Sequence, residues 1–200
     1  HEAGQFLVVE VLVEGTKQRR SYSIASAPGA KTIELAVREQ PGGAVSPVLC
    51  RLERGDRIGI LGPYGRFVID QKVPALLIGA GTGVAPFISY LRSRSGDESL
   101  ELAYLASHRR PAEILYGEVV ETARAQGART AITITRPEDD SWNGLTGRID
   151  QSMIARLLSE DHIVYVCGPT PMVQAVEELL GTLGVSRARI RLEKYGDVHA

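Results

Sequence analysis

Cysteine is scarce: Cys50 and Cys167 are the only two in 200 residues. Their separation matches no zinc-ligand spacing. Two thiols are also too few for an iron–sulfur cluster, which usually takes four. A disulfide framework is excluded, so a reducing, cytoplasmic setting is expected. The four histidines, His1, His108, His162 and His199, form no ligand spacing and read as surface or strand-end residues, so no metal site is expected. Long apolar runs are missing too. None approaches the roughly 20 residues of a membrane helix, and no membrane span is expected. Charge of one sign is not in excess: 23 Lys and Arg stand against 24 Asp and Glu, a net charge of -1. That gives no general attraction to nucleic acid or anionic lipid. What is present is ordinary globular composition, 44% hydrophobic and 24% charged, which argues against disorder. The length suits one large or two small domains. The chain begins at His1 with neither Met nor a signal-like segment, and is expected to be the interior piece of a longer protein.

The two halves follow different patterns. Residues 5–70 read as strands and turns. Gln5–Val13 and Arg20–Ala25 are β-rich, and Ile33, Leu35 and Val37 alternate with polar residues as in a half-buried strand. Arg57–Leu61 and Arg66–Ile69 read as strands about a Gly62-Pro63-Tyr64-Gly65 turn. A short helix fits Ser46–Leu52, with Ser46 as N-cap and Pro47 at the first helical position. Short strands at close spacing suggest a small barrel or sandwich. From Pro74 onward strands and helices alternate. Ala75–Ile78, Leu100–Leu105, Ala131–Thr135, His162–Cys167 and Arg189–Leu192 read as strands. Ala85–Arg94, Ala112–Gln126 (opened by Pro111), Gln151–Leu158 (capped by Asp150) and Met172–Leu183 (ended by Gly184) read as helices. Such alternation predicts a doubly wound parallel sheet. The boundary falls near Val73-Pro74, giving domains at 1–73 and 74–200. Asp139-Asp140 reads as a solvated loop, not an acid/base pair.

Gly79-Ala80-Gly81-Thr82-Gly83-Val84 follows the first buried strand and opens a helix. Backbone N–H groups at such a turn attract phosphate, and glycines allow close approach. A tight strand–helix turn without a ligand fits the same residues. The sixth position is Val84, not Gly or Ala, and the acidic residue of the dinucleotide fingerprint is missing after the second strand. Ser107-His108-Arg109-Arg110 stands there instead, and cations suit a 2′-phosphate better than a bare ribose.

Five segments in order resemble the ferredoxin–NADP reductase family. They are Arg20-Ser21-Tyr22-Ser23, Gly42-Gly43-Ala44-Val45-Ser46, Gly62-Pro63-Tyr64-Gly65-Arg66-Phe67, Gly79–Pro86, and Cys167-Gly168-Pro169-Thr170-Pro171-Met172. Ala3-Gly4-Gln5-Phe6 is similar to the family's entry to the strand before the flavin motif. The resemblance covers almost the whole chain. It implies a two-domain protein: an N-terminal antiparallel β-barrel that binds flavin, and a C-terminal doubly wound α/β lobe that binds pyridine nucleotide. It implies hydride transfer from NAD(P)H to FAD, and onward transfer to a separate redox protein such as a ferredoxin, a flavodoxin, a haem protein or an oxygenase component. The family barrel begins about two strands earlier, so the barrel is expected to be truncated here.

By that resemblance Arg20 binds flavin phosphate, Tyr22 lies against the isoalloxazine or bonds the ribityl chain, and Ser23 sits near N5. Gly43, Val45 and Ser46 take the pyrophosphate of FAD, favoured over FMN. Gly81 and Thr82 approach the nucleotide's pyrophosphate. Cys167, with Gly168 and Pro169, flanks the nicotinamide. Thr135-Arg136 stands where Ser-Arg grips the 2′-phosphate, and Arg109 is a second candidate, so NADP(H) is favoured over NAD(H). Glu193 and Tyr195 resemble a terminal Glu-x-aromatic, the Glu assisting proton or electron transfer and the aromatic covering the flavin. Asp197–Ala200 extends beyond it. The catalytic set is Tyr22, Ser23, Cys167 and Glu193. Read without the resemblance, several of these residues are plain structure: Arg20 and Ser23 on an amphipathic strand, Gly42-Gly43 and Ser46 as a turn and cap, Cys167 as core, and Arg109 and Arg136 as solvated side chains. Lys17 and Arg19 are candidates for a basic docking patch. Two other functions fit: a free-flavin reductase, and a non-catalytic flavin- or nucleotide-binding electron-transfer or sensor subunit.

Overall fold

The computed structural model describes residues 1–94, 100–138 and 141–196. Asp139, Asp140, His199 and the Asp197–Ala200 extension lie outside the described residues.

The first half is an antiparallel three-stranded sheet. Its strands are β1 (Phe6–Val13), β2 (Thr16–Ser23) and β3 (Gly59–Tyr64), in the order β2-β1-β3. The turn between β1 and β2 has two residues, Glu14 and Gly15, both at positive φ, the geometry that matches a twisted hairpin. β1 alternates cleanly, with Leu7, Val9 and Val11 buried. Val9 and Val11 pack with Val45, and Tyr22, Val48 and Leu49 close over that small core. Val48 and Leu49 belong to the short helix α1 (Ser46–Cys50).

The second half is a parallel six-stranded sheet. In chain order its elements are β4 (Ala75–Ala80), α2 (Ala85–Ser93), β5 (Leu102–His108), α3 (Gly117–Ala125), β6 (Arg129–Ile134), β7 (Leu145–Thr146), α4 (Gln151–Ala155), β8 (Ile163–Pro169), α5 (Thr170–Thr182) and β9 (Ile190–Tyr195). The order is β7-β6-β5-β4-β8-β9, so the winding reverses between β4 and β8. Both faces are covered. Leu76 and Ile78 join Val164 and Val166 under α4 and α5. Leu77, Tyr104 and Tyr165 face the other way, under α2 and α3. This two-sided burial makes the strands read as continuous apolar runs.

The halves meet on the α2 face. Ala3, Phe67 and Ile69 belong to the same buried cluster as Leu77, Phe87 and Cys167. The Phe67 ring meets the Tyr165 ring edge-on at 5.8 Å between centroids. The Tyr165 hydroxyl also accepts the Asp70 N–H at 3.1 Å.

The antiparallel layer and the doubly wound lobe follow the sequence expectation. Among the described residues, the former is a sheet with open edges. Several local expectations are corrected. Gly62–Tyr64 continue β3 instead of forming a turn, with a register shift in the β1–β3 ladder beside them. Arg66–Ile69 is not a strand, because Phe67 and Ile69 dock on the second half instead of on a ladder. The alternation at Ile33, Leu35 and Val37 makes a single bridge, Leu35 to Ile24. With no continuous partner the pattern alone builds no strand, and Ile33 is exposed. Ser46 is not an N-cap. It is the first helical residue, after Val45, and its hydroxyl accepts the Gln40 N–H at 3.0 Å. Pro111 opens only a 3-10 turn, Pro111–Glu113, and Tyr116 in left-handed backbone delays the helix to Gly117. Gln151–Leu158 ends early, at Ala155, although Asp150 caps it as expected by accepting the Met153 N–H at 2.9 Å. β7 had no apolar signal of its own.

Candidate functional site

The reversal point between β4 and β8 places the glycine turn beside Cys167. In the parallel ladder Gly79 pairs with Cys167, and Cys167 pairs with Glu193. Ligands bind such sheets at the carboxyl ends of strands flanking the reversal. Gly81–Val84 form a 3-10 turn there, and α2 begins directly after it. Gly81 stands at φ +53, a left-handed conformation that suits glycine. At Gly83 a Cβ would lie 2.5 Å from the Cys167 carbonyl oxygen. The turn and the end of β8 therefore touch backbone to backbone, which only glycine permits.

Cys167, Glu193 and Tyr195 form one cluster. The Cys167 thiol donates to the Glu193 carboxylate at 3.9 Å, a long sulfur contact. Burial pushes the Cys167 thiol well up, and the Glu193 carboxylate pushes it further. Burial also raises Glu193 to about 7, with the thiol hydrogen bond opposing it. The pair thus holds a proton near neutrality, in a pocket where a charge is costly. Two residues along β9, the Tyr195 hydroxyl donates to the Ala80 carbonyl at 2.9 Å and accepts the Gly83 N–H at 3.2 Å. The Thr82 hydroxyl donates to it at 3.4 Å. The turn thus presents an N–H to an oxygen acceptor, a fit for a nucleotide phosphate. Period-2 geometry turns Cys167, Glu193 and Tyr195 to one face. Cys167 is buried there with Ala3, Phe67 and Ile69, so this face looks toward the first half.

A second group sits at the ends of β5 and β6. The Arg136 N–H donates to the Arg109 carbonyl at 2.8 Å, and the Thr135 N–H to the His108 carbonyl at 2.9 Å. Arg109, Thr135 and Arg136 are therefore neighbours, with both arginines exposed. The Thr135 hydroxyl also leans toward the His108 carbonyl, at 3.4 Å. Trp142 closes the adjoining loop by donating to the Leu145 carbonyl at 2.8 Å.

In the first half, Tyr22 and Val45 pack on the same small core, which brings the β2 segment and the Gly43–Ser46 segment together. The Arg20 guanidinium is exposed and, among the described residues, donates only to the adjacent Arg19 carbonyl, at 2.7 Å. It is therefore open to an anion. The Gly43 N–H is already spent on the Gln40 carbonyl at 2.9 Å. Ser23 is half-buried beside Tyr22 at the end of β2. At the candidate basic patch, Lys17 and Arg19 both pair with Glu10, at 2.8 and 2.7 Å. Glu10 offsets one of the two charges, and both cationic side chains stay exposed.

Two histidines read as surface residues are buried, although both do lie at strand ends. His108 is 3% exposed, neither ring nitrogen has a well-formed hydrogen bond among the described residues, and burial drops it to about 4, with Glu113 opposing. His162 is fully buried and accepts the Ser159 N–H at 3.1 Å. The sequence reading also passed over Glu34, Arg38, Ser89 and Arg92, which join the halves. Arg38 pairs with Glu113, and Arg92 with Glu34. Their only sequence signal is polar character inside otherwise patterned segments. No group of His, Cys, Asp or Glu suited to a metal ion occurs among the described residues. No helix among them is long and apolar enough to cross a membrane.

Comparison with known proteins agrees with this geometry. The oxidoreductase FAD-binding domain family matches residues 1–69, and the oxidoreductase NAD-binding domain family matches residues 77–178. Ferredoxin–NADP reductase B of Sorangium cellulosum (strain So ce56) is 37% identical over 97% of this chain and 85% of its own length. The reductase subunit of stachydrine N-demethylase from Rhizobium meliloti (strain 1021) is 32% identical over 98% of this chain, which spans only 58% of it. The flavohaemoglobin-like FAD/NAD-binding domain of nitric oxide dioxygenase from Vibrio cholerae O1 biovar El Tor superposes with a TM-score of 0.86 at 28% identity, covering 98% of this chain and 86% of that one. The chain belongs to the ferredoxin–NADP reductase family and is an oxidoreductase that uses FAD and a nicotinamide nucleotide.

Proposed function

We propose that this family member takes reducing equivalents from NADPH through FAD to a separate redox protein, a ferredoxin or the terminal component of an oxygenase. The Cys167–Glu193–Tyr195 cluster, set against the glycine turn and turned toward the first half, carries this reading. The name of the Sorangium relative supports a ferredoxin as acceptor, and that of the Rhizobium relative, a reductase subunit, supports delivery to a separate component. We assign residues 1–73 to flavin and 74–200 to nucleotide, in a reducing, cytoplasmic setting that two free thiols suit.

When bound, FAD supplies the redox chemistry, accepting hydride from the nicotinamide and releasing electrons one or two at a time. The chain binds and orients. Arg20 holds a flavin phosphate through its open guanidinium. Tyr22 and Ser23 would bind and orient the ring system. Gly43, Val45 and Ser46 line the pyrophosphate, through backbone and shape more than through the engaged Ser46 hydroxyl. Gly81, Thr82 and Gly83 would hold the nucleotide's pyrophosphate, with the Gly83 N–H that now serves the Tyr195 hydroxyl as donor. Cys167, with Gly168 and Pro169, forms the wall against the nicotinamide. Glu193, protonated below about pH 7, holds a proton at that wall. Arg109 and Arg136, with Thr135, receive the 2′-phosphate, which favours NADPH.

The test is anaerobic. FAD-loaded protein is mixed with NADPH or NADH, and the visible flavin absorption is followed. Rapid bleaching, faster with NADPH, is expected. Bound flavin that neither nucleotide bleaches overturns the reading. Arg136→Ala is expected to weaken NADPH by about five- to tenfold, on the order of 1 kcal/mol for an exposed charge contact, and to leave NADH unchanged. Equal losses for both nucleotides contradict the 2′-phosphate role.

A further inference from the structure

We infer that Arg92 is a positioning residue for hydride transfer: with Ser89 it fixes the flavin-bearing strand against the helix that follows the glycine turn. The inference rests on the reductase reading above.

The chain leaves β2 through Ile24-Ala25-Ser26, all three buried. Two carbonyls of this segment are held by side chains of α2. The Ser89 hydroxyl donates to the Ser26 carbonyl at 2.7 Å. The Arg92 guanidinium donates to the Ala25 carbonyl at 3.0 Å. Ser89 and Arg92 lie three residues apart, so one helix face presents both donors. β2 carries Tyr22 and Ser23, and α2 starts where the glycine turn ends. A shift of one relative to the other must therefore break a buried hydrogen bond.

Arg92 gathers two further elements. Its Nη1 lies 2.7 Å from the Glu34 carboxylate. The Glu34 backbone grips the same segment: the Ala25 N–H donates to the Glu34 carbonyl at 2.8 Å, and the Glu34 N–H to the Ser26 hydroxyl at 3.2 Å. The guanidinium also lies over the Tyr116 ring, 5.0 Å from its centroid. Tyr116 adopts φ 58, a backbone that bulky residues avoid and that persists only where surroundings impose it. One side chain thus ties the exit of the flavin strand, the Glu34 loop, the nucleotide-side helix and the start of α3.

The apolar seam of Phe67, Phe87 and Tyr165 supplies adhesion but little direction. Directional bonds from a planar, permanently charged group supply the register. Hydride transfer is sensitive to register. Reacting atoms must come within about 3–3.5 Å, and a displacement of about 1 Å can cost on the order of a hundredfold.

The test compares the FAD-loaded parent with Arg92→Ala, Arg92→Lys and Glu34→Gln by anaerobic stopped flow with NADPH. For Arg92→Ala the limiting rate of flavin bleaching is expected to fall about tenfold or more, with flavin retention and the half-saturating NADPH concentration within about threefold of the parent. Arg92→Lys is expected to recover part of the rate, and Glu34→Gln to lose less than Arg92→Ala. A limiting rate within about twofold of the parent overturns the inference, as does a loss confined to half-saturation. If Arg92→Ala does not fold, the other two variants decide: parental limiting rates in both overturn it. A parent that NADPH does not bleach defeats the reductase reading and this inference together. A bleaching parent with unaffected variants defeats this inference alone.

Discussion

β4 and β3 are each six residues long, yet their surroundings are opposite. Ala75–Gly79 of β4 are buried on both faces. Every residue of β3, from Gly59 to Tyr64, is exposed. β4 draws its burial from neighbours on both sides and from helices above and below. β3 has β1 on one side and no strand beyond it among the described residues. The nucleotide half therefore carries its own core. The flavin half borrows part of its burial from the seam, through Ala3, Phe67 and Ile69. The helix side of that seam is where the glycine turn, Cys167 and Glu193 stand.

The largest test of this contrast is thermodynamic. Leu77→Ala empties a fully buried position, and a loss of about 2–5 kcal/mol is expected in denaturant unfolding. Ile60→Ala, at a position 54% exposed, is expected to change stability by less than about 0.5 kcal/mol. Similar losses at both positions would erase the distinction.

A smaller effect separates the two binding functions. Gly83→Ala forces a methyl group against the Cys167 carbonyl, where relaxation costs about 1–3 kcal/mol. Nucleotide affinity is expected to fall by roughly tenfold or more, with flavin binding unchanged. Isothermal titration with each ligand checks this. Parallel losses would show that the halves do not bind independently.

A further effect concerns Glu193. Its carboxyl is raised from 4.5 to about 7, so the folded state holds a proton that the unfolded chain releases between these values. The contribution of this group to stability is then greatest below about pH 4.5 and is lost as the pH rises through 7, against an opposite contribution from His108, whose ring is lowered to about 4. Glu193→Gln is expected to flatten that part of the profile. A slope that survives the substitution would place its origin elsewhere.

The contrast also explains what the sequence disclosed. Ala75–Ile78 and His162–Cys167 were legible because two-sided burial leaves a continuous apolar run. The glycine turn was legible as a strand–helix turn because its composition is local, whereas the Cys-Gly-Pro segment stood out only through its resemblance to the family. The flavin half was read less well. Ile33, Leu35 and Val37 alternate as a strand would, but a ladder needs a partner that no local pattern declares. Gly62-Pro63 looked like a turn and became strand, since the flanking Leu61 and Tyr64 both pair with β1 and carry the strand across the irregularity. Ser46 looked like a cap, but a backbone N–H six residues earlier claimed its hydroxyl. His108 looked exposed beside two arginines and is buried. Arg92 gave no signal beyond its polar character, because an arginine in a last helical turn is ordinary and its partners lie 58 and 67 residues away.

The most direct test of the central claim is a crystal structure of this chain with FAD and oxidised NADP bound. The isoalloxazine is expected beside Tyr22 and Ser23, and the nicotinamide against Cys167 and Glu193. The Tyr195 hydroxyl should have left the Gly83 N–H to a phosphate oxygen. A nucleotide bound away from the glycine turn, with Tyr195 still bonded to Gly83, would contradict it.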